Sequence, residues 1–193
     1  LGMIEDNFLS DRVLISGASP YKNRLNDKVA SDILTVACRP LDQDLVCGYF
    51  STSDGYPAEN MNLIEKGVLR NFVLSRYGAA KTGLARSAND GGCYVVDAGH
   101  TPLEKMIGDI KQGLLVNRFS GGSPGVDGDF TGVAKNSFLI KDGMIADAVS
   151  ETMISGNLIQ LLQSVSAVSS ERVNNGAYIL PWVKVEGITV SGK

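Results

Sequence analysis

Short apolar runs separated by turn residues dominate the first half of the chain, and they indicate strands rather than long helices. A run rich in β-branched residues predicts a strand at 29–38, and a shorter run predicts another at 46–50. Residues 60–65 and 68–75 then flank Lys66-Gly67 with strand-like patterns. Because an X-Gly pair suits the two central positions of a tight turn, these segments predict a β-hairpin.

Helical patterns are confined to three shorter segments. Helices are predicted over 76–84, 101–112 and 157–168. Thr101 and Glu104 have the spacing of a capping box, in which each side chain bonds the other residue's main-chain N–H. Either Ser155 or Asn157 is the expected cap of the third helix. Strands therefore remain the main elements of the predicted fold.

The second half of the chain returns to strands joined by tight turns. Strands are predicted at 93–97, 114–119, 130–141, 144–152 and 177–190. Asp142-Gly143 lies between two of them, and the last is broken near Glu186-Gly187. Strands that outnumber helices and are joined by hairpins predict an α+β fold. We expect a largely antiparallel β-sheet domain with β-hairpins and a few short helices.

Composition and charge narrow the class of protein. The chain has 193 residues and a formal net charge of −3, so its charge does not attract nucleic acid or an anionic membrane. No apolar run approaches the roughly 20 residues that span a bilayer. The three cysteines have an odd count and no CxxC pair, so we expect reduced, buried cysteines in a cytoplasmic protein. We therefore expect neither a nucleic-acid partner nor a membrane partner.

A basic pair and a glycine-rich segment are the first candidates for binding. Arg76 and Lys81 lie on one short predicted helix, where they suit a substrate carboxylate, a partner surface or simply a solvated face. The glycine-rich segment 120–128 has no phosphate-loop pattern, and it precedes a strand rather than a helix. We expect this segment to let another backbone approach closely.

Metal ligands and nucleophiles are sparse. Asp54, Asp127 and Asp129 lie beside glycines in predicted loops, where aspartates usually hold turns through bonds to the main chain. Cys93 and His100 leave a Cys–His dyad open as an alternative. His100 is the only histidine, so one copy of the chain cannot build a zinc site from two histidines.

Five segments along the chain have a familiar order and spacing. They are LIEKGVL at 63–69, YGAAKTG at 77–83, GDF at 128–130, SETMISGNL at 150–158 and VEGITVSGK at 185–193. Together they resemble the C-terminal domain of the TldD/PmbA family, and Asp54-Gly55 ahead of the first segment fits as well. The resemblance runs from about residue 29 to residue 193.

The resemblance implies an association with zinc metallopeptidases that process or degrade small peptides. Some family members carry an older label as modulators of DNA gyrase. TldD-type subunits hold zinc through an HExxxH helix and a cysteine near the C-terminus, whereas PmbA-type subunits lack these ligands and pair with TldD. This chain has no HExxxH and no cysteine after Cys93, so it resembles the PmbA type. We therefore expect no cofactor in this chain and zinc on a TldD-like partner.

The resemblance also implies an organisation for the chain. Residues 1–28 would lead in from an upstream domain, and residues 29–193 would form the TldD/PmbA-like C-terminal domain. The expected function is that of a PmbA-like subunit or fragment in a metallopeptidase system that processes or degrades peptides. The expected partners are a peptide substrate and a second subunit, in a homodimer or in a heterodimer with a TldD-like subunit. Whether this chain is itself an enzyme stays open.

A peptide cleft in such a complex would need walls and contacts. The hairpin around Lys66-Gly67 and the segment 120–128 are the expected walls. Contacts to the substrate or partner are expected at Arg76, Lys81, Gly121, Gly122 and Asp129. Two other hypotheses stay open: a non-catalytic peptide-binding or assembly module with no proteolytic role, and an independent enzyme that uses Cys93 and His100.

Overall fold

The structure, a computed structural model, describes residues 1–150 and 152–192 as short helices and three β-sheets. The helical segments are α1 (Gly2–Ile4), which continues into a π-helical turn (Glu5–Leu9), α2 (Asp11–Ile15), α3 (Arg76–Thr82), α4 (Leu103–Gly108) and α5 (Leu158–Gln163). The strands are β1 (Val36–Cys38), β2 (Met61–Glu65), β3 (Val68–Leu69), β4 (Tyr94–Val96), β5 (Gln112–Leu115), β6 (Arg118–Gly121), β7 (Asp129–Lys135), β8 (Ser137–Lys141), β9 (Met144–Val149), β10 (Met153–Asn157), β11 (Ala167–Asn174), β12 (Tyr178–Lys184) and β13 (Thr189–Ser191).

The strands form one large sheet and two smaller ones. The six-stranded sheet has the order β11-β12-β4-β1-β2-β3, the four-stranded sheet β13-β10-β7-β6 and the three-stranded sheet β5-β8-β9. Every pairing between the described strands is antiparallel except that of β4 with β12. This arrangement confirms the predicted α+β fold with largely antiparallel sheets.

The main core lies between the six-stranded sheet, the N-terminal helices and α5. Phe8, Leu9 and Tyr21 from the first 28 residues are almost fully buried, and they pack in the same cluster as Ile64 of β2 and Leu162 of α5. The N-terminal segment therefore contributes side chains to the core of this fold. The predicted upstream domain stays a prediction.

Both hairpins have the turns that their Gly dipeptides predict. Lys66 and Gly67 have φ angles of 47° and 77°, and Asp142 and Gly143 have φ angles of 47° and 78°. Positive φ at both central positions is the geometry that matches the twist of paired strands.

The cap of α5 is Asn157, one of the two predicted caps. Its side chain accepts the N–H groups of Ile159 and Gln160 at 3.1 and 3.2 Å.

The strands predicted at 29–38 and 46–50 are wrong over most of their length. In the first segment only Val36–Cys38 joins a sheet. The N–H groups of Val29 and Ala30 both donate to the carbonyl of Gly67, at 2.8 and 3.0 Å, so this part of the chain packs against the hairpin turn instead. Residues 46–50 form a loop without strand pairing.

The predicted helix 101–112 is shorter than its pattern suggests, and its cap is different. The side chain of Thr101 makes no capping bond; the carboxylate of Glu171 accepts the N–H of Leu103 at 3.0 Å instead. Gln112 belongs to β5 and not to the helix. The capping-box prediction is therefore wrong, because a carboxylate from a distant strand takes its place.

Two single predicted strands are divided between different sheets. The segment 114–119 contains the end of β5 and the start of β6, and only residues 116–117 separate these strands. The segment 130–141 contains β7 and β8, separated by Asn136 alone, which has a φ of 50°. The four-stranded and three-stranded sheets are thus joined by two very short connections. The sequence patterns also missed the whole strand β11.

The prediction that all three cysteines are reduced is wrong. Cys47 and Cys93 form a disulfide in a small second cluster with Leu45, Val95 and Ile179. Cys38 is free and buried in the main core, and burial raises the pKa of its thiol well above the usual range. Among the described residues, no helix has the length and apolar character to cross a membrane.

Candidate functional site

An apolar trough of about 1190 Å³ lies where the three sheets meet. Its lining comes from α4, from β5 and β8 of the three-stranded sheet, from β6, β7, β10 and β13 of the four-stranded sheet, and from β12. Its large apolar side chains include Met106, Ile110, Leu115, Phe130, Leu180 and Trp182. A concave apolar site of this size has the character of a ligand-binding site.

Two strand edges along the trough have no pairing partner among the described residues. β5 pairs only with β8, and all four of its residues line the trough. β12 pairs with β4 only at Tyr178 and Ile179, so its remaining residues, 180–184, pair with β11 on one side alone. Those five residues line the trough as well. Apolar side chains and unpaired strand edges therefore occur together.

Charged groups in the lining balance one another. Asp109 and Glu186 carry negative charge, and Lys111 and Lys184 carry positive charge. Two aromatic rings, Phe119 and Phe130, meet edge to face with 5.7 Å between their centroids in the lining from the four-stranded sheet. The lining therefore suits an apolar, uncharged ligand better than a strongly charged one.

The basic residues singled out from the sequence lie on α3, away from the trough lining. Arg76 and Lys81 are both exposed, and the Lys81 ammonium lies 5.5 Å from the ring centroid of Tyr77. The main-chain N–H of Arg76 donates to the Asp54 carboxylate at 2.6 Å, so Asp54 holds its loop against the start of the helix. The role of Arg76 and Lys81 in contacting substrate or partner stays a prediction.

Gly121, Gly122 and Asp129 lie at one end of the four-stranded sheet, and they are not in the trough lining either. The Asp127 side chain accepts the N–H of Asp129 at 3.3 Å, which is the turn-holding role predicted from the sequence. The Asp129 carboxylate accepts from the Asn157 amide at 2.8 Å. Contacts from these glycines and Asp129 to a substrate or partner also stay a prediction.

The hypothesis of a Cys93–His100 dyad is wrong. Cys93 is buried and joined to Cys47, so its sulfur is not available as a thiolate nucleophile. His100 is exposed beyond the end of β4. In the part of the chain that the structure describes, no three His, Cys, Asp or Glu side chains are grouped so that they could hold a metal ion. The described residues therefore do not fit the zinc that the family implies.

A half-buried carboxylate connects the N-terminal helices to the loop before β4. Glu5 accepts a hydrogen bond from the Tyr94 hydroxyl at 2.6 Å and another from the Gly92 N–H at 3.3 Å. Burial raises the pKa of Glu5, and burial together with the bond to Glu5 raises the pKa of Tyr94. Because the carboxylate is well supplied with donors, we assign it a structural role.

Sequence reasoning missed both the trough and the Glu5–Tyr94 contact. The trough combines side chains from eight separate helices and strands, with no shared local motif. Glu5 and Tyr94 are 89 positions apart. The apolar residues of 177–190 were the one available signal, and they predicted a strand pair without indicating that one edge would stay unpaired.

Comparisons with known proteins define the family. A model of the PmbA/TldA metallopeptidase C-terminal domain matches residues 3–192. The chain therefore belongs to the PmbA/TldD family of metallopeptidase-related proteins. A metalloprotease of Archaeoglobus fulgidus is 32% identical over 81% of this chain and 39% of the relative. Metalloprotease PmbA of Escherichia coli O157:H7 is 28% identical over 90% of this chain and 41% of the relative.

Solved structures show the same fold in longer chains. TldE from Thermococcus kodakarensis matches with a TM-score of 0.85 and 27% identity over 99% of this chain and 48% of that one. A protein of Bacteroides thetaiotaomicron, described as a proposed modulator of DNA gyrase, matches with a TM-score of 0.89 and 29% identity over 100% of this chain and 44% of that one. The chain spans about two fifths of the length of the curated relatives described above.

Proposed function

We propose that the chain is a PmbA-like subunit, or the C-terminal part of one, in a metallopeptidase system that processes or degrades peptides. The observation that carries this proposal is the apolar trough bordered by two unpaired strand edges. The relatives are named metalloproteases, which supports a role for this chain in a peptidase system. The proposed location is the cytoplasm, where a disulfide such as Cys47–Cys93 is uncommon, so the state of these cysteines also tests the location.

An extended peptide is the ligand that suits this trough. Its main chain would add as a strand to the free edge of β5 or of β12, and every second side chain would enter the apolar lining. Main-chain hydrogen bonds are the same for all sequences, so binding would tolerate many peptides. In this proposal the chain binds and orients the peptide, and a TldD-like partner carries the zinc and performs the hydrolysis.

Trp182, the only tryptophan, provides a direct readout because it lines the trough. We expect its emission to shift to shorter wavelength in a saturable way when an extended peptide with alternating valines is added. The same peptide with every second amide N-methylated cannot form one set of strand hydrogen bonds. We expect it to bind at least about tenfold more weakly, since each lost bond costs about 1 kcal/mol.

Two variants locate the binding. Leu114→Asp places a charge in the trough lining on β5, and we expect it to abolish the emission change. Val173→Asp, on the exposed surface of β11, is the matched control and should bind like the wild type. Equal peptide affinity of Leu114→Asp and wild type would contradict the trough as the site.

A separate variant tests the basic residues of α3. Unchanged peptide affinity and assembly in Arg76→Ala/Lys81→Ala would remove those two residues from the proposal.

An assay of peptide hydrolysis distinguishes the proposed peptidase subunit from a binding module with no proteolytic role. A TldD-like subunit should cleave a reporter peptide faster in the presence of this chain than without it. Leu114→Asp should lose this stimulation while Val173→Asp keeps it. If the partner cleaves equally well without the chain, the chain is a binding or assembly module and not part of the peptidase.

A further inference from the structure

The Cys47–Cys93 disulfide lies where three separate segments of the chain meet. Cys47 belongs to the loop between β1 and β2, and Cys93 immediately precedes β4. The third segment is the turn between β11 and β12, because the Cys47 sulfur lies 3.5 Å from the carbonyl oxygen of Ala177. The disulfide therefore connects the start of β4 to a loop that also contacts the residues just before β12.

The attachment of β12 to its sheet depends on this region. β12 pairs with β4 only at Tyr178 and Ile179, and their partners on β4 directly follow Cys93. Among the described residues, this short pairing is what joins the β11–β12 hairpin to the other four strands of the six-stranded sheet. Residues 180–184 of β12 then line the trough. The disulfide is therefore next to the point from which one wall of the trough is held.

The main chain around both cysteines is also held by bonds that do not involve the sulfurs. The N–H of Val46 donates to the carbonyl of Gly176 at 2.8 Å. The N–H of Arg39 donates to the carbonyl of Cys93 at 2.9 Å. After reduction these bonds should keep the two cysteines within reach of each other, so the disulfide can form again.

Both sulfurs have a suitable environment as free thiols as well. Cys93 is 4% exposed within the small second cluster, and thiols are commonly buried in apolar surroundings. The Cys47 thiol could donate to the carbonyl oxygen of Ala177. The fold therefore accommodates the oxidised and the reduced pair.

Only one of the two sulfurs is open to attack from solvent. Cys47 is half-buried, whereas Cys93 is buried. Cys38, the third cysteine, is fully buried in the main core, where burial raises the pKa of its thiol and makes it unreactive. A thiolate from solvent should therefore attack the disulfide at Cys47.

We propose that Cys47–Cys93 is a reversible thiol–disulfide exchange site that controls how firmly β12 is held beside the trough. In the first step, the thiolate of a small thiol such as glutathione attacks the Cys47 sulfur; a mixed disulfide forms, and Cys93 leaves as a thiolate that takes a proton from water. A second thiolate then attacks the sulfur of the attached small thiol, which releases Cys47 and a small-molecule disulfide. Two small thiols are thus oxidised as the protein disulfide is reduced, and the small-molecule disulfide reverses both steps.

The consequence for the trough rests on the proposed function. With the disulfide intact, the start of β4 and the loop beside it are fixed, so residues 180–184 present one arrangement to a peptide. Reduction should loosen this junction, and a peptide must then order it on binding, which should weaken the affinity at least about threefold. In the cytoplasm disulfides are usually transient, catalytic or redox-sensing, so a switch fits the proposed location better than a permanent cross-link does.

Two single variants test where exchange begins. Treated with oxidised glutathione, Cys93→Ser should form a mixed disulfide at Cys47, detected by peptide mapping as the added mass of one glutathione. Cys47→Ser is the matched control, and it should react at least about tenfold more slowly because its remaining thiols are buried. Equal rates in the two variants would contradict attack at Cys47. Reduced wild type should re-form the disulfide and retain no glutathione, and failure to re-form it would overturn the proposal.

NMR relaxation of backbone amides tests the effect on the fold without any ligand. On reduction, order parameters across 44–50 should fall from about 0.85 toward 0.6, whereas those of β8 should stay the same. Cys47→Ser should resemble the reduced wild type with and without reductant. Cys38→Ala keeps the pair and should respond to reductant like the wild type. Identical order parameters in the two redox states, or unfolding of the reduced chain, would overturn the proposal.

Peptide affinity, measured through the emission of Trp182, tests the link to the trough. The oxidised wild type should bind the alternating-valine peptide more tightly than the reduced wild type, and Cys47→Ser should bind like the reduced form. Equal affinities in the two states would overturn control of the trough by this pair. If no peptide binds in either state, the proposed function fails, and the exchange and relaxation measurements still decide whether the pair is a switch.

Discussion

Two buried tyrosines show how much the surroundings of one hydroxyl group matter. Tyr21 packs against Phe8, with 5.3 Å between the ring centroids, and its hydroxyl has no hydrogen-bond partner among the described residues. Burial raises the pKa of Tyr21 to about 12. Tyr94 is also buried, but its hydroxyl donates to Glu5. The same hydroxyl group therefore lowers the stability of the fold at Tyr21 and raises it at Tyr94.

Replacing each tyrosine by phenylalanine should have opposite consequences. Tyr21→Phe should leave the free energy of unfolding unchanged or raise it, because it removes an unpaired buried polar group. Tyr94→Phe should lower it by about 2 kcal/mol, because the Glu5 carboxylate loses a donor. Urea unfolding of both variants beside the wild type measures the difference. Equal losses in the two variants would contradict this account of the hydroxyl groups.

Local signals of capping illustrate what single residues reveal before a structure is known. Asn157 was one of two predicted caps, and it caps α5 through bonds to residues two and three positions ahead. The cap of α4 comes from Glu171, which is 68 positions away from Leu103. A local pattern could predict the first cap, since donor and acceptor are neighbours. It could not predict the second, which depends on how β11 packs beside α4.

At the scale of elements, tight turns were predictable and strand lengths were not. The Lys66-Gly67 and Asp142-Gly143 turns follow from the backbone angles that these residue pairs adopt. The segments 29–38 and 130–141 have strand-like composition, yet pairing in the fold shortens the first and divides the second. β-propensity describes how side chains fit a pleated surface, so the neighbours decide where a strand begins and ends.

The turn of the first hairpin should be sensitive to a methyl group for a reason beyond its backbone angle. Gly67 and Gly83 have φ angles of 77° and 74°, so alanine at either position is strained by about 1 kcal/mol. A Cβ at Gly83 would meet open space, whereas a Cβ at Gly67 would overlap the carbonyl oxygens of Ala30 and Ser31. Thermal unfolding should therefore show a larger loss for Gly67→Ala than for Gly83→Ala. Similar losses would mean that the 29–31 segment moves away freely.

At the scale of the whole molecule, the disulfide joins the loop between β1 and β2 to the start of β4. Cys47 and Cys93 are 46 positions apart. In the chain-entropy model a cross-link of this span stabilises the fold by up to about 4 kcal/mol, because it restricts the unfolded chain. The number and separation of the cysteines could not predict the pair, since contact between them depends on the packing of β4 beside that loop.

Thiol titration and reduction test this pair together. The unfolded, unreduced chain should show one reactive thiol, from Cys38, and the reduced chain should show three. Reductant should lower the free energy of unfolding of the wild type. The free energy of unfolding of Cys47→Ser should be lower than that of the unreduced wild type, and reductant should not lower it further. Three reactive thiols before reduction would contradict the disulfide.

The family and the fold class could be predicted from the sequence, but the trough could not. Segments such as 63–69 and 150–158 are continuous in the sequence, so the resemblance is visible without coordinates, and the family model matches residues 3–192. The trough depends on where three sheets meet and on which edges stay unpaired. Those properties arise from contacts between distant segments, and no short segment carries them.

The two short connections between the smaller sheets have a mechanical consequence for the trough. Asn136 alone links β7 to β8, and residues 116–117 link β5 to β6. One residue spans at most about 3.6 Å, so the two sheets are held close together at these two points. Under the proposed function, we expect the spacing of these two sheets to limit the thickness of a bound peptide and not its length.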